Sequence, residues 1–172
     1  LLVVVMLATI AVKAQDIYVG GSLNVWRNST GNTTSFKIAP EIGYNFNETW
    51  ALGAELAYGH EYANKVSMNS FDFAPYIRFS YYESGIVRLF LDGTASIGFD
   101  KVKDGDTFER GQVGLRPGIA VKLNDNFSFI AKYGFLGYRR NMDYDEDYAP
   151  IKHSFGLNLT SEDLSIGFHY AF

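Results

Sequence analysis

Three features of the sequence predict an all-β chain folded as an eight-stranded antiparallel up-and-down transmembrane β-barrel. Apolar residues alternate with small or polar ones at period two along almost the whole chain after residue 15, as strands with a single apolar face require. Tight turn sequences alternate with longer polar connections. Aromatic residues, 12 Tyr, 14 Phe and 2 Trp, gather at the ends of the apolar faces. A mean hydropathy near zero agrees, because lipid-facing and lumen-facing residues of such a barrel cancel in any window average.

Residues 1–14 read as a signal peptide truncated at its start, and 15–172 as the barrel domain. Leu1 to Val12 is an apolar run, and Val12-Lys13-Ala14 has the small-residue form of a cleavage site before Gln15-Asp16. The run is shorter than the roughly 20 residues a spanning helix needs. The alternative is a short buried N-terminal helix. With no cysteine in the sequence, disulfides and thiolate metal sites are excluded.

The first predicted strand sets Ile17, Val19, Gly21, Leu23 and Val25 against Tyr18, Gly20, Ser22, Asn24 and Trp26. The second sets Phe36 to Phe46, on even numbers, against Lys37, Ala39, Glu41, Gly43 and Asn45. In the third, Trp50, Leu52, Ala54, Leu56 and Tyr58 oppose Ala51, Gly53, Glu55, Ala57 and Gly59, and in the fourth Phe71 to Tyr81, on odd numbers, oppose Asp72, Ala74, Tyr76, Arg78 and Ser80. The fifth places Val87 to Phe99, on odd numbers, against Arg88, Phe90, Asp92, Thr94, Ser96, Gly98 and Asp100. The sixth has Val113, Leu115, Pro117, Ile119 and Val121 opposite Arg110, Arg116 and Lys122, and the seventh has Phe127, Phe129, Ala131, Tyr133 and Phe135 opposite Ser128, Lys132, Gly134 and Tyr138. The eighth ends the sequence, with Leu164, Ile166, Phe168, Tyr170 and Phe172 on one face.

Asn45-Phe46-Asn47-Glu48, Glu83-Ser84-Gly85 and Asn124-Asp125-Asn126 are tight turn sequences. Between them, 28–33, 61–69, 101–107 and 139 onward read as longer loops. Short periplasmic turns and longer external loops are the pattern of outer-membrane barrels, so both ends of the domain belong in the periplasm. Pro40, Pro75 and Pro117 each precede Ile by two positions on an apolar face. Proline cannot donate to a ladder, so the repeat predicts a recurrent bulge or bend. Phe155, Leu157 and Leu159 alternate on odd numbers and the last strand on even ones. A shift at Ser161-Glu162-Asp163 therefore marks a bulge or an external extension of strand eight, or a turn that would make nine strands.

A soluble lipocalin-like barrel would show the same alternation with its apolar face inside. Glycine and alanine crowd the polar face, which suits a narrow lumen, and aromatics form two belts on the apolar face. Tyr44, Phe46, Trp50, Phe79, Tyr81, Phe127, Tyr170 and Phe172 lie at the turn side, and Tyr58, Phe71, Phe99, Tyr133 and Phe135 at the loop side. Both observations put lipid outside. The lumen then holds the acids Glu41, Glu55, Asp72, Asp92 and Asp100 with the bases Lys37, Arg78, Arg88, Arg110, Arg116, Lys122 and Lys132. Eight strands leave an interior just wide enough for side chains, and buried charges must pair. The expectation is a salt-bridged plug in which each charge meets its opposite across the interior; a small porin-like channel is the alternative.

No enzyme, metal or cofactor site is predicted. His153 and Ser154 are adjacent and would face opposite ways on a strand, and His60-Glu61 reads as a solvated rim pair. Asp143-x-Asp145-Glu146-Asp147 lacks the glycine and terminal glutamate of an EF-hand loop. A net charge of -4 with dispersed bases gives no nucleic-acid footprint. Tyr62, Lys65, Met68, Phe108, Tyr144 and Tyr148 would give the loops aromatic and charged contacts for adhesion, an extracellular ligand or lipopolysaccharide.

The terminal strand ending on Phe172, the signal segment, the repeated hairpins and the aromatic belts together resemble the OmpA/OmpX-like superfamily of small bacterial outer-membrane barrels, over residues 15–172. The resemblance implies an outer-membrane location, contacts with outer-membrane lipid, and a structural or surface-interaction role. It also implies insertion by the barrel-assembly machinery, with Tyr170 and Phe172 as the assembly signal. A lipid A-modifying barrel enzyme is the less favoured alternative, since the His-x-Ser spacing of the deacylases is absent.

Overall fold

The period-two segments become strands. The computed structural model describes residues 17–28, 33–63, 66–102, 107–141, 153–159 and 164–172. Their strands are β1 (Ile17–Asn28), β2 (Thr33–Asn45), β3 (Trp50–Ala63), β4 (Val66–Ser84), β5 (Val87–Val102), β6 (Thr107–Lys122), β7 (Phe127–Lys132), β8 (Phe135–Asn141), β9 (His153–Asn158) and β10 (Ser165–Ala171). The signal-peptide expectation for residues 1–14 lies outside the described residues, as do Lys65, Asp143 to Tyr148 and Ser161 to Asp163.

Neighbours pair antiparallel from β1 through β7, β7 pairs with β10, and β10 returns to β1. The sheet is thereby closed. β8 continues β7 along β6, and β9 pairs with β8, so β7–β8 and β9–β10 are the interrupted seventh and eighth strands of an eight-stranded barrel. Residues 153–158 are thus an outward extension of strand eight, not a ninth strand.

The interruption has a local cause. Gly134 has φ 79°, a left-handed backbone conformation that suits glycine, and it shifts the side-chain alternation by one position. Tyr133 faces outward, yet Phe135 is buried and Leu136 and Tyr138 are exposed. The predicted place of Phe135 in the loop-side belt, and of Tyr138 on the lumen face, is therefore corrected. On the partner strand, Lys132↔Ser165 and Phe135↔Asn158 bracket the same irregularity.

The prolines also differ from expectation. Pro40, Pro75 and Pro117 lie in continuous ladders with Gly21, Ala54 and Leu91 on one side. On the other side the pairing skips Ala39-Pro40, Ala74-Pro75 and Arg116-Pro117, and for the first two it resumes in unchanged register. At Pro40 and Pro75 the missing N–H removes rungs without adding a residue, so no bulge forms; at Pro117 the partner strand carries one extra residue, Tyr133-Gly134-Phe135 opposite Arg116-Pro117, and the register shifts there. The β4–β5 irregularity lies at Ser80/Tyr82. The stretches 61–69 and 101–107 are less loop-like than their polarity implied. Ladders run on to Ala63↔Val66 and Lys101↔Thr107, because strands that rise beyond hydrocarbon need no apolar face.

The turns follow their sequences. Asn47 Oδ1 accepts from the backbone N–H groups of Thr49 (2.9 Å) and Trp50 (2.8 Å), and Asn124 Oδ1 does the same for Asn126 (3.0 Å) and Phe127 (2.8 Å). Such side-chain mimicry of a backbone turn is the reason asparagine recurs there.

The barrel is apolar outside and polar inside. Leu52, Leu56, Phe73, Ile77, Ile97, Val113 and Leu115 are exposed, whereas Glu41, Glu55, Asp72, Arg78, Asp92 and Lys132 are buried. A soluble barrel would need the reverse. At the turn side, Trp50 packs on Phe79 with ring centroids 4.8 Å apart, and Phe127, Tyr170 and Phe172 continue the belt at 5.0 and 5.1 Å.

Arginine at Ile77 or Leu115 is expected to lower folding stability in phospholipid vesicles by about 2 to 4 kcal/mol, falling to about 0 to 1 at the belt residue Phe46. Denaturant titration of refolded protein checks this; equal tolerance at both depths would contradict a lipid-facing exterior.

Candidate functional site

The lumen holds the charged and chemically competent side chains in three tiers. The central tier begins with a conflict. Glu41 and Glu55 are direct cross-strand partners on β2 and β3, and like charges so placed repel. Lys132 reaches across from β7 to resolve it, with Nζ 2.7 Å from Glu41 Oε2, 3.4 Å from Glu55 Oε2 and 3.7 Å from Asp92 Oδ2. Arg78 meets Asp92 in a two-pronged pair at 2.7 and 2.8 Å, a geometry that fits a planar guanidinium to a carboxylate. His169 Nε2 contacts the other Glu41 oxygen.

Aromatic rings floor this tier. Tyr18 and Tyr76 share a hydroxyl–hydroxyl hydrogen bond of 2.7 Å, His169 stacks on Tyr18 at 4.7 Å, and the Arg78 guanidinium lies 4.0 Å from the Phe90 ring centre. Each ring faces a glycine directly across the ladder: Tyr18↔Gly43, Tyr76↔Gly53 and Phe90↔Gly118. A Cβ at Gly43 or Gly118 would come within 2.2 Å of the facing ring. The small inward residues are therefore sockets for large ones, which is how a narrow barrel fills its interior.

The loop-side tier joins Asp72 to Arg110 (2.9 Å) and Lys37 (3.3 Å), with Asp100 3.1 Å from Arg110 Nε. The turn-side tier is Glu83 with Arg88 (2.6 Å) and Lys122 (2.7 Å). The hydrogen bond from Lys122, followed by that from Arg88, holds the Glu83 carboxyl below its ordinary range despite partial burial.

Of the twelve charges assigned to the lumen from the sequence, Glu41, Glu55, Arg78, Asp92 and Lys132 converge, Lys37, Asp72, Asp100 and Arg110 form the separate tier above, and Lys122 belongs to the turn side. Arg88 corrects the expectation of pairing across the interior: it lies too near the turn and binds Glu83 instead. Arg116 departs as well, since its cross-strand neighbour Asp92 is taken by Arg78 and its buried Nε has no hydrogen-bond partner. His169, Tyr18, Tyr76 and Phe90 were not singled out, although their position on the inward face of each strand marks them. At the rim, His60 Nδ1 pairs with Asn69 Oδ1 at 2.8 Å, while His153 stacks near Tyr138 at 6.3 Å. Among the described residues no group of His, Asp and Glu is placed to hold a metal ion.

An outward apolar surface around a filled, charged lumen is the arrangement of a transmembrane barrel, and comparison with known proteins agrees. The outer membrane protein beta-barrel domain matches residues 1–172. The chain belongs to that family. This outer-membrane β-barrel is also similar to the crystal structure of Neisserial surface protein A, at 15% identity and TM-score 0.58, covering 91% of this chain and 96% of that one. A de novo designed transmembrane β-barrel aligns over 91% of this chain and 96% of its own at 13% identity and TM-score 0.40. The Vibrio cholerae outer membrane protein OmpT aligns over 91% of this chain and 52% of its own, at 12% identity and TM-score 0.40. No curated protein matches. The family places the protein in the bacterial outer membrane.

Lys132→Met is expected to destabilise this outer-membrane barrel by about 3 to 5 kcal/mol, because it leaves Glu41, Glu55 and Asp92 buried together. Lys122→Met, at the exposed tier, is expected to cost under about 1 kcal/mol. Urea midpoints of the two variants check the contrast; similar shifts would contradict a desolvated central tier.

Proposed function

We propose that this outer-membrane barrel is a non-conducting structural protein that offers its outer hairpins as an interaction surface. One observation carries the reading: the central tier occupies the lumen, and the space left beside Glu55, Tyr76, Asp92, Arg116 and Lys132 is a cavity of about 10 Å³, no more than a water molecule needs. A network of paired charges that fills the centre braces the wall and passes nothing. Catalysis is not part of the proposal, because the rim histidines are engaged with Asn69 and Tyr138 rather than with a nucleophile.

The partners follow from the two surfaces. The apolar exterior is suited to outer-membrane lipid and, on the outer leaflet, to lipopolysaccharide. Exposed Tyr62 and partly buried Met68 and Phe108 stand on the outer parts of β3, β4 and β6, where an extracellular ligand would meet them. Tyr170 and Phe172 are proposed to present the assembly signal to the barrel-assembly machinery.

Planar-bilayer recordings of the wild type are expected to show no steady conductance, and large stable channels would restore the porin reading. In cells, Phe172→Ala is expected to leave secretion intact and lower the amount assembled; unchanged surface levels would refute the assembly signal. Exchange of the outer hairpins should abolish adhesion with assembly intact if they are the interaction surface, whereas unchanged adhesion leaves a scaffold role alone.

A further inference from the structure

Above the central tier, the loop-side half of the lumen opens into a chamber of about 410 Å³. Lys37, Arg110, Arg116, Arg139 and Arg140 line it, against Asp72 and Asp100. This is a positive excess inside a chain whose net charge is -4. Arg140 follows Arg139 on β8 and alternates to the other face, so the inward guanidiniums are those of Arg110, Arg116 and Arg139.

The acids here are already engaged. Asp72 binds Arg110 and Lys37, and Asp100 faces Arg110. Asp92, the cross-strand neighbour of Arg116, holds Arg78 through both oxygens. One buried guanidinium nitrogen, Arg116 Nε, is left without a hydrogen-bond acceptor, whereas Arg110 Nε lies 3.1 Å from Asp100 Oδ2. An unmet buried donor is costly, and a charged one more so. The Arg139 guanidinium is held 4.7 Å from the Phe135 ring centre, at the position where Gly134 turns that ring inward. The adjoining cavity of about 250 Å³ shares Lys37, Arg110 and Arg116 but adds Glu55 and Glu61, so the anion-seeking pole lies on the β6–β8 side.

We infer that this chamber is a binding site for a multiply charged oxyanion of the phosphate class, held by Arg116 with Arg110 and Arg139. Planar N–H forks match tetrahedral oxyanions. Such an anion would supply the acceptor that Arg116 Nε lacks. The ligand is either a soluble phosphate compound entering from outside or the headgroup of an anionic lipid. The site does not depend on whether the barrel conducts.

The test is calorimetric titration of the detergent-folded full chain with inorganic pyrophosphate, with heat-modifiable gel mobility reporting folding. Saturable binding is expected for the wild type and for Lys122→Gln, a cation of the turn-side tier. Arg116→Gln should weaken binding by about tenfold or more, the equivalent of one charge-assisted hydrogen bond. Arg139→Gln gives an independent reading should Arg116→Gln fail to fold. Absence of saturable binding in the wild type, or equal binding by the folded Arg116 and Arg139 variants, would overturn the site. In nanodiscs, loss of pyrophosphate binding when phosphatidylglycerol replaces phosphatidylcholine assigns the site to a lipid headgroup. Undiminished binding assigns it to a soluble phosphate; both results retain the site.

Discussion

Hydrocarbon offers no partner to a backbone N–H or C=O, so a sheet that spans it must close on itself. The ladder from Tyr18↔Ala171 to Leu23↔Ile166 performs that closure, and the rest of the molecule depends on it. Closing eight strands fixes a lumen of side-chain width. Everything on the inward face must then fit and be neutralised within the barrel, while the outward face is free to be uniformly apolar. The sockets at Gly43, Gly53 and Gly118 and the reach of Lys132 to three carboxylates are two responses to that one constraint.

The lumen is ordered by height as well as by charge. Rings and the Lys132 cluster fill the centre, Glu83 with its two cations caps the turn side, and Asp72 with Arg110 begins a wider loop-side chamber. Only the central tier is dry enough for pairing to be decisive. Breaking a buried pair strands a charge, whereas the Glu83 trio is half in water and contributes little. The closed centre and the cationic outer chamber are thus different features, one holding the wall and the other carrying the unmet Arg116 Nε donor on which the proposed anion site is built.

Much of this was legible in the sequence because period two is a property of the strand itself. The faces of β1 to β6, the asparagine turns at Asn47 and Asn124, and the lumen assignment of Glu41, Glu55, Arg78, Asp92 and Lys132 all follow from alternation. Gly134 was not legible: Phe127, Phe129, Ala131, Tyr133 and Phe135 keep one parity, and nothing in that pattern announces a positive φ. Partners were harder than faces. Which charges meet depends on stagger around the barrel and on height, so Arg88 went to Glu83 and Arg116 lost Asp92 to Arg78. Tyr18, Tyr76 and Phe90 read as polar-face residues of their strands, but alternation alone does not show that each ring fills the space over a facing glycine.

The central claim is an inverted barrel, with apolar side chains in lipid and a closed charged interior. Single-cysteine probes at each position from Leu52 to Tyr58 of β3, read in vesicles by quenching from spin-labelled lipid, test it most directly. The account predicts strong quenching at Leu52, Ala54, Leu56 and Tyr58 and weak quenching at Gly53, Glu55 and Ala57. Quenching without period two, or strongest at Gly53, Glu55 and Ala57, would contradict it.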